Sequence, residues 1–396
     1  MIHTIEEIYS TAIFRQKDAL NALVFSQALK HPGISRKEIT NRFNLRPSSV
    51  SQACNELIDR NILRQEISSD LNQRGRPEVS LYAVTDHWIA ACIFMESLDF
   101  RAAFTDISSK ITPLELPGNN PGSAGFQDRF ESVLHYVMSS RPAGKSFIGI
   151  SLSLPGYGRR QDDTWITSTR FGEIHQVESH RLGPTSDIKL RWIRSVDARA
   201  QALLLTHPDY RQGKTVLFHW GYGICVSVAI EGTLINDGFS KFGELGHTIV
   251  NGQNGLECRC GSRGCLETEA SIWTLLPKLR KRFKDLPENE REFSAFLSNR
   301  FIEEIPEIER AIDYINIGLV NVSKLFAPDR ILLYGPFTDN NQIYKLLEQK
   351  YYKNEPRYEF SCIELARIRH TPADEVVGAT YSLFLDSLRT DLRAGN

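Results

Sequence analysis

Hydrophobic positions in residues 1–85 follow short helical repeats that are interrupted by turns. Apolar residues recur at helical spacing over 18–30, and Pro32-Gly33 ends that repeat. Ser35-Arg36-Lys37-Glu38 has the form of a capping box, so a short helix is expected from there to about Phe43. A second helix is expected to begin near Pro47, with a buried face made of Val50, Ala53, Cys54, Leu57 and Ile58.

Two strand-like runs follow these helices, over 62–66 and 79–84. Two helices joined by a tight turn and followed by paired strands are typical of a winged helix-turn-helix that reads DNA. The second helix would present small polar side chains that can contact phosphates or base edges, namely Ser48, Ser49, Ser51 and Gln52. Between the strands, Arg74 and Arg76 could reach the minor groove. The alternative is a generic three-helix packing unit with solvated loop arginines.

From residue 86 onward the pattern changes to strands that alternate with helices. Strands are expected over 88–94, 100–106, 146–154, 215–220, 226–230 and 330–334, and helices over 126–139, 311–325 and 374–388. This alternation predicts α/β lobes. We expect a DNA-binding domain over 1–85, a small lobe over 86–195 plus 372–396, and a large lobe with an oligomerisation surface over 196–371.

Composition agrees with a globular protein of several domains. A length of 396 residues suggests two or three domains, and 41% hydrophobic with 24% charged residues is typical of soluble proteins. No apolar run approaches the ~20 residues of a membrane helix, and the N-terminus lacks the layout of a signal peptide. We therefore expect a cytoplasmic protein without membrane insertion. The net charge is −1, although residues 30–76 hold nine Lys or Arg against five Asp or Glu.

Candidate metal ligands are concentrated between Gly243 and Glu267. This glycine-rich segment holds three of the seven cysteines and one histidine, namely His247, Cys258, Cys260 and Cys265. Three thiolates and an imidazole form a ligand set that zinc takes in tetrahedral sites. Four protein ligands leave no position for water, so the predicted zinc is structural. The other cysteines lie singly in apolar surroundings and are expected in the core, namely Cys54, Cys92, Cys225 and Cys362.

The same segment carries a family resemblance. Gly-Glu-Leu-Gly-His, followed by Cys-x-Cys-Gly-x2-Gly-Cys-Leu-Glu, resembles the signature of the ROK family, which groups bacterial sugar kinases with sugar-responsive transcriptional repressors. The resemblance covers roughly residues 15–390 and implies an actin-like, ribonuclease-H-like duplication with a ligand cleft between two lobes. Arg-Gly-Arg-Pro at 74–77 is similar to the repressor branch, whereas the kinases lack the whole N-terminal unit.

The resemblance also allows a test for kinase chemistry. Family kinases open this domain with Asp-x-Gly-Gly-Thr, where this chain has Phe94-Met95-Glu96-Ser97-Leu98. A second phosphate loop should carry Gly-Thr-Gly, but here it is Gly221-Tyr222-Gly223, and a later Gly-Gly is replaced by Gly335-Pro336. Because phosphoryl transfer depends on positioning and charge stabilisation of the phosphates, we expect neither ATP binding nor catalysis.

The sugar side of the family's site is better preserved. The resemblance assigns sugar contacts to Asp197, Glu244, His247 and Glu267, with His247 also binding zinc. Carboxylates suit this role because each can accept hydrogen bonds from two neighbouring hydroxyls. Asp197 could instead cap a helix, and Glu244 and Glu267 could orient the metal ligands. Val196 stands where the family has an asparagine, which removes an amide contact.

These features together predict a transcriptional regulator, a repressor of genes for sugar uptake or metabolism. A homodimer or tetramer would bind operator DNA through paired winged helices, and a sugar or sugar phosphate would bind in the cleft. One alternative is a zinc-containing sugar kinase with an N-terminal appendage. Another is a repressor controlled by a protein, such as a sugar-phosphotransferase component that docks near the zinc loop.

Overall fold

The computed structural model describes residues 16–67, 79–96, 99–117, 125–159, 164–167, 175–178, 188–235, 241–287, 289–298, 300–302, 305–355 and 362–393. Arg74 and Arg76, the predicted minor-groove residues, lie outside these ranges. The chain forms an N-terminal unit of helices and a small sheet, followed by two five-stranded sheets with packed helices. None of the described helices is both long and apolar enough to cross a membrane.

The helices are α1 (Gln16–Lys30), α2 (Arg36–Arg42), α3 (Pro47–Asp59), α4 (Phe126–Ser139), α5 (Ser195–Thr206), α6 (Leu266–Ala270), α7 (Ile272–Leu279), α8 (Glu290–Ser298), α9 (Pro306–Phe326), α10 (Asn341–Asn354) and α11 (Pro372–Asp391), with 3-10 turns at Pro208–Arg211 and Leu245–His247. The strands are β1 (Ile34–Ser35), β2 (Leu63–Ile67), β3 (Val79–Ala83), β4 (Trp88–Glu96), β5 (Asp99–Asp106), β6 (Ile111–Leu114), β7 (Ser146–Leu154), β8 (Tyr157–Arg159), β9 (Thr164–Thr167), β10 (His175–Glu178), β11 (Leu190–Arg194), β12 (Lys214–Trp220), β13 (Ile224–Ile230), β14 (Thr233–Leu234), β15 (Arg330–Tyr334) and β16 (Glu364–Arg367).

The N-terminal unit follows the local signals in its sequence. The capping box begins α2, because the Glu38 carboxylate accepts from the Ser35 amide at 2.7 Å and the Ser35 hydroxyl accepts from the Glu38 amide at 3.2 Å. Pro47 is the first residue of α3, where its missing N–H is harmless. Strands β2 and β3 pair antiparallel, and β1 extends the sheet on the far edge of β3. The helical spacing correctly predicted the buried face of α3, apart from the half-buried Ile58.

Both five-stranded sheets have one topology, in the orders β6-β5-β4-β7-β11 and β14-β13-β12-β15-β16. In each, three strands form an antiparallel meander, and the two later strands run parallel to the first. Strands β8, β9 and β10 follow β7 and precede β11 in the chain, and they form a separate antiparallel sheet. The repeat confirms the predicted actin-like α/β duplication. We call the sheet of β4 with α4 and α11 the first lobe, and the sheet of β12 with α6 to α10 the second lobe.

Helix α5 connects the two lobes. Val196, Ala200 and Leu203 on one face pack against the second sheet, while Ala198 packs toward α11 and the first sheet. The crossing with α11 is very close, since a Cβ on Gly378 would lie 1.7 Å from the Ala198 carbonyl oxygen. Glycine is therefore required there. A ligand that moved α5 would act on both lobes.

The N-terminal unit shares one hydrophobic core with the first lobe. The Phe25 and Trp88 rings meet edge to face with centroids 5.7 Å apart, and both belong to a buried cluster that includes Leu388 and Leu392 at the end of α11. The Trp88 indole donates to Asp391 at 2.6 Å. The predicted boundary near residue 85 is thus crossed by a continuous core, and the unit is held on the end of α11.

The isolated cysteines do not all lie in the core. Cys54 and Cys92 are buried as predicted, but Cys225 is partly exposed and Cys362 is exposed. The prediction is wrong for Cys362 because this residue precedes the edge strand β16, where only alternate positions face the core.

Candidate functional site

The predicted metal ligands converge in space. One donor atom each from His247, Cys258, Cys260 and Cys265 lies within 4.8 Å of every other. The Cys260 and Cys265 sulfurs are 3.6 Å apart, and Cys258 Sγ is 3.4 Å from His247 Nδ1. A tetrahedral ion with metal–sulfur bonds of about 2.3 Å needs sulfur–sulfur edges of about 3.8 Å. The four donors therefore fit a tetrahedral metal ion.

Glycines allow this segment to fold back on itself. Gly264 has φ of 71°, and a Cβ there would lie 2.0 Å from the Asn251 carbonyl oxygen. At Gly255 an added Cβ would lie 2.2 Å from the Gly264 Cα. Any side chain at either position would separate the two arms of the loop and move the cysteines apart.

The His247 ring connects the cysteine cluster with an internal cavity. Its Nδ1 faces Cys258, while its Nε2 lies 3.8 Å from a Glu244 carboxylate oxygen. Burial lowers the pKa of His247 and so favours the neutral ring that a metal ligand requires. Burial also raises the pKa of the Cys258 and Cys265 thiols, so a bound cation would supply the charge that stabilises their thiolates.

The cavity lies between the lobes, beside α5, and has a volume of about 60 Å³, enough for about two waters. It is lined by Pro155, Gly156, Arg194, Ser195, Val196, Arg199, His219, Gly223, Ile224, Cys225, Glu244, His247 and Glu267. Three of the four predicted sugar contacts are among them. A larger depression of about 490 Å³ lies by Lys278, Lys281, Arg282 and Glu307, but it is open to solvent and contains no predicted site residue.

Asp197, the fourth predicted sugar contact, does not line the cavity. Its carboxylate accepts from Arg194 Nε at 2.8 Å and from Arg194 Nη2 at 3.1 Å. Arg194 is itself only 4% exposed and also donates to Glu244 at 3.1 Å and to the Val226 carbonyl at 2.9 Å. Sequence reasoning missed Arg194, although a cation three residues before an aspartate at a helix start is a pairing signal.

A second buried arginine was also missed. Arg199 donates to Glu375 at 2.8 Å, and the other oxygen of that carboxylate accepts from the Ser153 hydroxyl at 2.7 Å. The Arg199 guanidinium also lies 5.4 Å from the centre of the Tyr334 ring. Because Glu375 is in the first turn of α11, this ion pair ties the cavity wall to α11.

The two glutamates of the cavity differ in how they are held. Glu267 accepts from the Ile224 amide at 3.3 Å and from the Trp273 indole at 3.2 Å. Burial raises the pKa of Glu267 to about 7 and also raises the pKa of Glu244, although Arg194 opposes the second shift. The Glu267 carboxyl group can therefore donate as well as accept hydrogen bonds when it is protonated.

The segment that resembles a phosphate loop is occupied by a carboxylate. Gly221-Tyr222-Gly223 forms the turn between β12 and β13, and the Tyr222 amide donates to Glu290 at 2.7 Å. A carboxylate at this distance takes one of the loop's backbone donors and repels a phosphate. At the other altered segments, Glu96 ends β4 and Gly335 follows β15, while residues 97 and 98 lie outside the described part of the chain.

Four of the six predicted DNA-reading residues lie on one helix. Ser48 and Gln52 are exposed at the start of α3, and Ser49 and Ser51 are partly exposed. Two exposed cations, Arg42 and Arg46, lie just before this helix and were not among the predicted contacts.

Comparison with known proteins places these features in context. The ROK family model matches residues 127–381. The DNA-binding transcriptional repressor Mlc of Escherichia coli K12 is 25% identical over 261 residues, which are 61% of this chain and 60% of Mlc, less than two thirds of its length. The xylose repressor of Bacillus subtilis 168 is 24% identical over 318 residues, 78% of this chain and 80% of that repressor.

Solved structures share the fold. A ROK family transcriptional regulator, described as a homologue of E. coli Mlc, superposes with a TM-score of 0.69 at 20% identity and covers 96% of this chain and 99% of its own. The ROK hexokinase from Thermus thermophilus has a TM-score of 0.57 at 20% identity and covers 76% of this chain and 99% of its own.

Proposed function

The chain belongs to the ROK family, and we propose that it is a DNA-binding transcriptional regulator that represses genes of sugar uptake or metabolism. The observation that carries the proposal is the N-terminal unit, in which α3 presents exposed polar residues while its other face is packed into a core shared with α11. The named relatives Mlc and the xylose repressor are repressors, which supports the same function.

In this proposal the N-terminal unit, residues 1–85, is a winged helix-turn-helix. Helix α3 enters the major groove with Ser48, Ser49, Ser51 and Gln52, and β2 and β3 form the wing that carries Arg74 and Arg76 to the minor groove. The small lobe comprises 86–195 plus 372–396, and the large lobe comprises 196–371. A homodimer or tetramer would place two such units on a pseudo-palindromic operator.

The lobes and the DNA-reading unit are connected by α11. This helix has 20 residues and so spans about 30 Å, with Glu375 beside the cavity and Leu388 in the core of the N-terminal unit. An effector in the cleft would change the position of the DNA-reading unit only if it bound one lobe arrangement more tightly than the other.

The metal is proposed to be a structural zinc held by His247, Cys258, Cys260 and Cys265. When bound, it would supply a rigid tetrahedral cross-link and hold the three thiolates deprotonated. His247 would then be locked in the ring orientation that faces Glu244, so the metal would shape the wall of the effector site.

A sugar kinase is the alternative function within the family, since solved relatives such as the Thermus thermophilus hexokinase are kinases. The Glu290 carboxylate on the Tyr222 amide disfavours it. A coupled ATPase assay with a panel of hexoses separates the two functions: the repressor proposal predicts no sugar-dependent ATP hydrolysis.

The regulator proposal is tested by genomic footprinting of the tagged protein with and without candidate sugars in the medium. A small set of sharp palindromic sites beside sugar genes is the expected result. The absence of enrichment at any site would contradict the proposal and return the kinase to consideration.

A further inference from the structure

The Arg194 guanidinium is hydrogen-bonded to two of the carboxylates to which the resemblance assigns sugar contacts. It makes four hydrogen bonds, two to Asp197, one to Glu244 and one to the Val226 carbonyl oxygen. Asp197 and Glu244 are two of the carboxylates expected to accept hydrogen bonds from sugar hydroxyls. Asp197 accepts two hydrogen bonds from the planar fork of N–H donors, and Glu244 accepts one.

The space that Arg194 leaves in the cavity is small. The cavity holds about 60 Å³, whereas pockets for small molecules measure roughly 300–1,000 Å³. A sugar that used Asp197 and Glu244 would have to expel the guanidinium. Arg194 is 4% exposed and its partner Asp197 is 1% exposed, so expulsion of the guanidinium would break a buried ion pair.

We propose that Arg194 is a specificity-determining residue: its side chain occupies the sugar subsite as a resident ligand and excludes neutral sugars from the cleft. The inference rests on the proposed function only in that it treats this cleft as the effector site. The backbone of Arg194 is fixed by a strand and a helix, because this residue ends β11 and directly precedes α5.

The presence of Arg194 determines which ligands the cleft can bind. With Arg194 in place, both Asp197 oxygens and one Glu244 oxygen already accept hydrogen bonds from the guanidinium, so a neutral sugar would have to compete with these bonds. Without the Arg194 side chain, the carboxylates of Asp197 and Glu244 would border an enlarged cavity that also contains Glu267 and His247. A single substitution should then convert a closed cleft into a polyol-binding site.

Calorimetric titration of the full-length protein with glucose, xylose and N-acetylglucosamine tests this inference. We expect no binding to the wild type. In Arg194→Ala, the affinity for one or more of these sugars should rise by at least about 100-fold. This fold-change corresponds to the lower end of the cost of breaking a buried ion pair. Arg191→Ala is the matched control, since Arg191 is an exposed arginine on the same strand that pairs with Asp386 at 2.8 Å. Arg191→Ala should show no gain in affinity for any of the three sugars.

Two results overturn the inference. One is binding of any of the three sugars by the wild type with a dissociation constant below about 1 mM. The other is a folded Arg194→Ala protein, verified by its thermal transition, that binds none of them. If that variant does not fold, Arg194→Gln takes its place, because its amide can still donate to Asp197, and the wild-type titration decides independently of any variant. No DNA is present in the titration, so its outcome is separate from that of the footprinting.

Discussion

Replacing Glu375 with glutamine should destabilise the protein strongly, because this residue anchors α11 to the wall of the cavity. Its side chain is 1% exposed and its oxygens accept from Arg199 at 2.8 Å and from Ser153 at 2.7 Å. Glutamine can keep the bond from the Ser153 hydroxyl but leaves the Arg199 charge uncompensated in a buried setting. Loss of one partner of a buried pair costs about 3–5 kcal/mol, and we expect about 3 kcal/mol for this substitution.

The assay is urea denaturation of the wild type, Glu375→Gln, Arg199→Met and the double variant Arg199→Met/Glu375→Gln. Each single change should lower the free energy of unfolding by about 3 kcal/mol, while the double variant should return to within about 1 kcal/mol of wild type because no charge is left unpaired. Asp386→Asn on the same helix is the control, since Asp386 pairs with surface cations and should cost less than about 1 kcal/mol.

The reasoning would be refuted by additive effects of the two single changes, which would show that the groups do not interact. It would also be refuted if Glu375→Gln cost no more than Asp386→Asn. Either outcome would mean that α11 is held to α5 by apolar packing alone and that the ion pair carries no coupling between the cavity and this helix.

Three further predictions concern the metal cluster and the two ends of α11. Cys260→Ser should release the metal, measured as metal content of the purified protein, whereas Cys362→Ser should not; equal metal content in both would rule out the cluster. Burial alone would raise the pKa of Asp374, but the His370 ring, whose Nδ1 lies 3.7 Å from the carboxylate, and hydrogen bonds from Thr371 lower the pKa to about 2. The contribution of Asp374, about 1 kcal/mol after solvent screening, is therefore present above pH ~4 and lost as pH falls toward 2. Asp374→Asn should flatten the pH dependence of stability over that range, and an unchanged acid profile would contradict this. Trp88→Phe should lose the hydrogen bond to the last turn of α11 and lower the free energy of unfolding by about 1–3 kcal/mol in thermal melts. A change below about 0.5 kcal/mol would contradict the claim that this bond holds the N-terminal unit on α11.

The parts of the structure that could be predicted from sequence are those set by near neighbours. The capping box at Ser35 and Glu38 marks a helix start because both partners lie within four residues. The cysteine cluster spans 19 positions, from His247 to Cys265, and the glycines within it permit the tight turns that bring the ligands together. Local chemistry therefore predicted the convergence that the structure shows.

The contents of the cleft could not be predicted in this way. Arg199 meets Glu375 across 176 positions and Arg194 meets Glu244 across 50, so neither pair has a local signature. Arginine is rarely buried unless it is paired, and no periodicity indicates where its partner lies. The family resemblance predicted an effector site in this cleft, but the geometry shows that Asp197 is already engaged by Arg194. The exposure of Cys362 was missed for a related reason, since strand order decides which residues lie at an edge.

The most direct test of the regulator proposal is operator binding by wild type, Gln52→Glu and Gln349→Glu, measured by fluorescence anisotropy at one salt concentration on fragments enriched in footprinting. Gln52 is exposed at the start of α3, and Gln349 is an exposed glutamine on α10, so the same charge is added at both sites. The account predicts at least about a tenfold loss of affinity for Gln52→Glu and none for Gln349→Glu. Equal affinity of all three proteins would contradict the claim that α3 reads DNA.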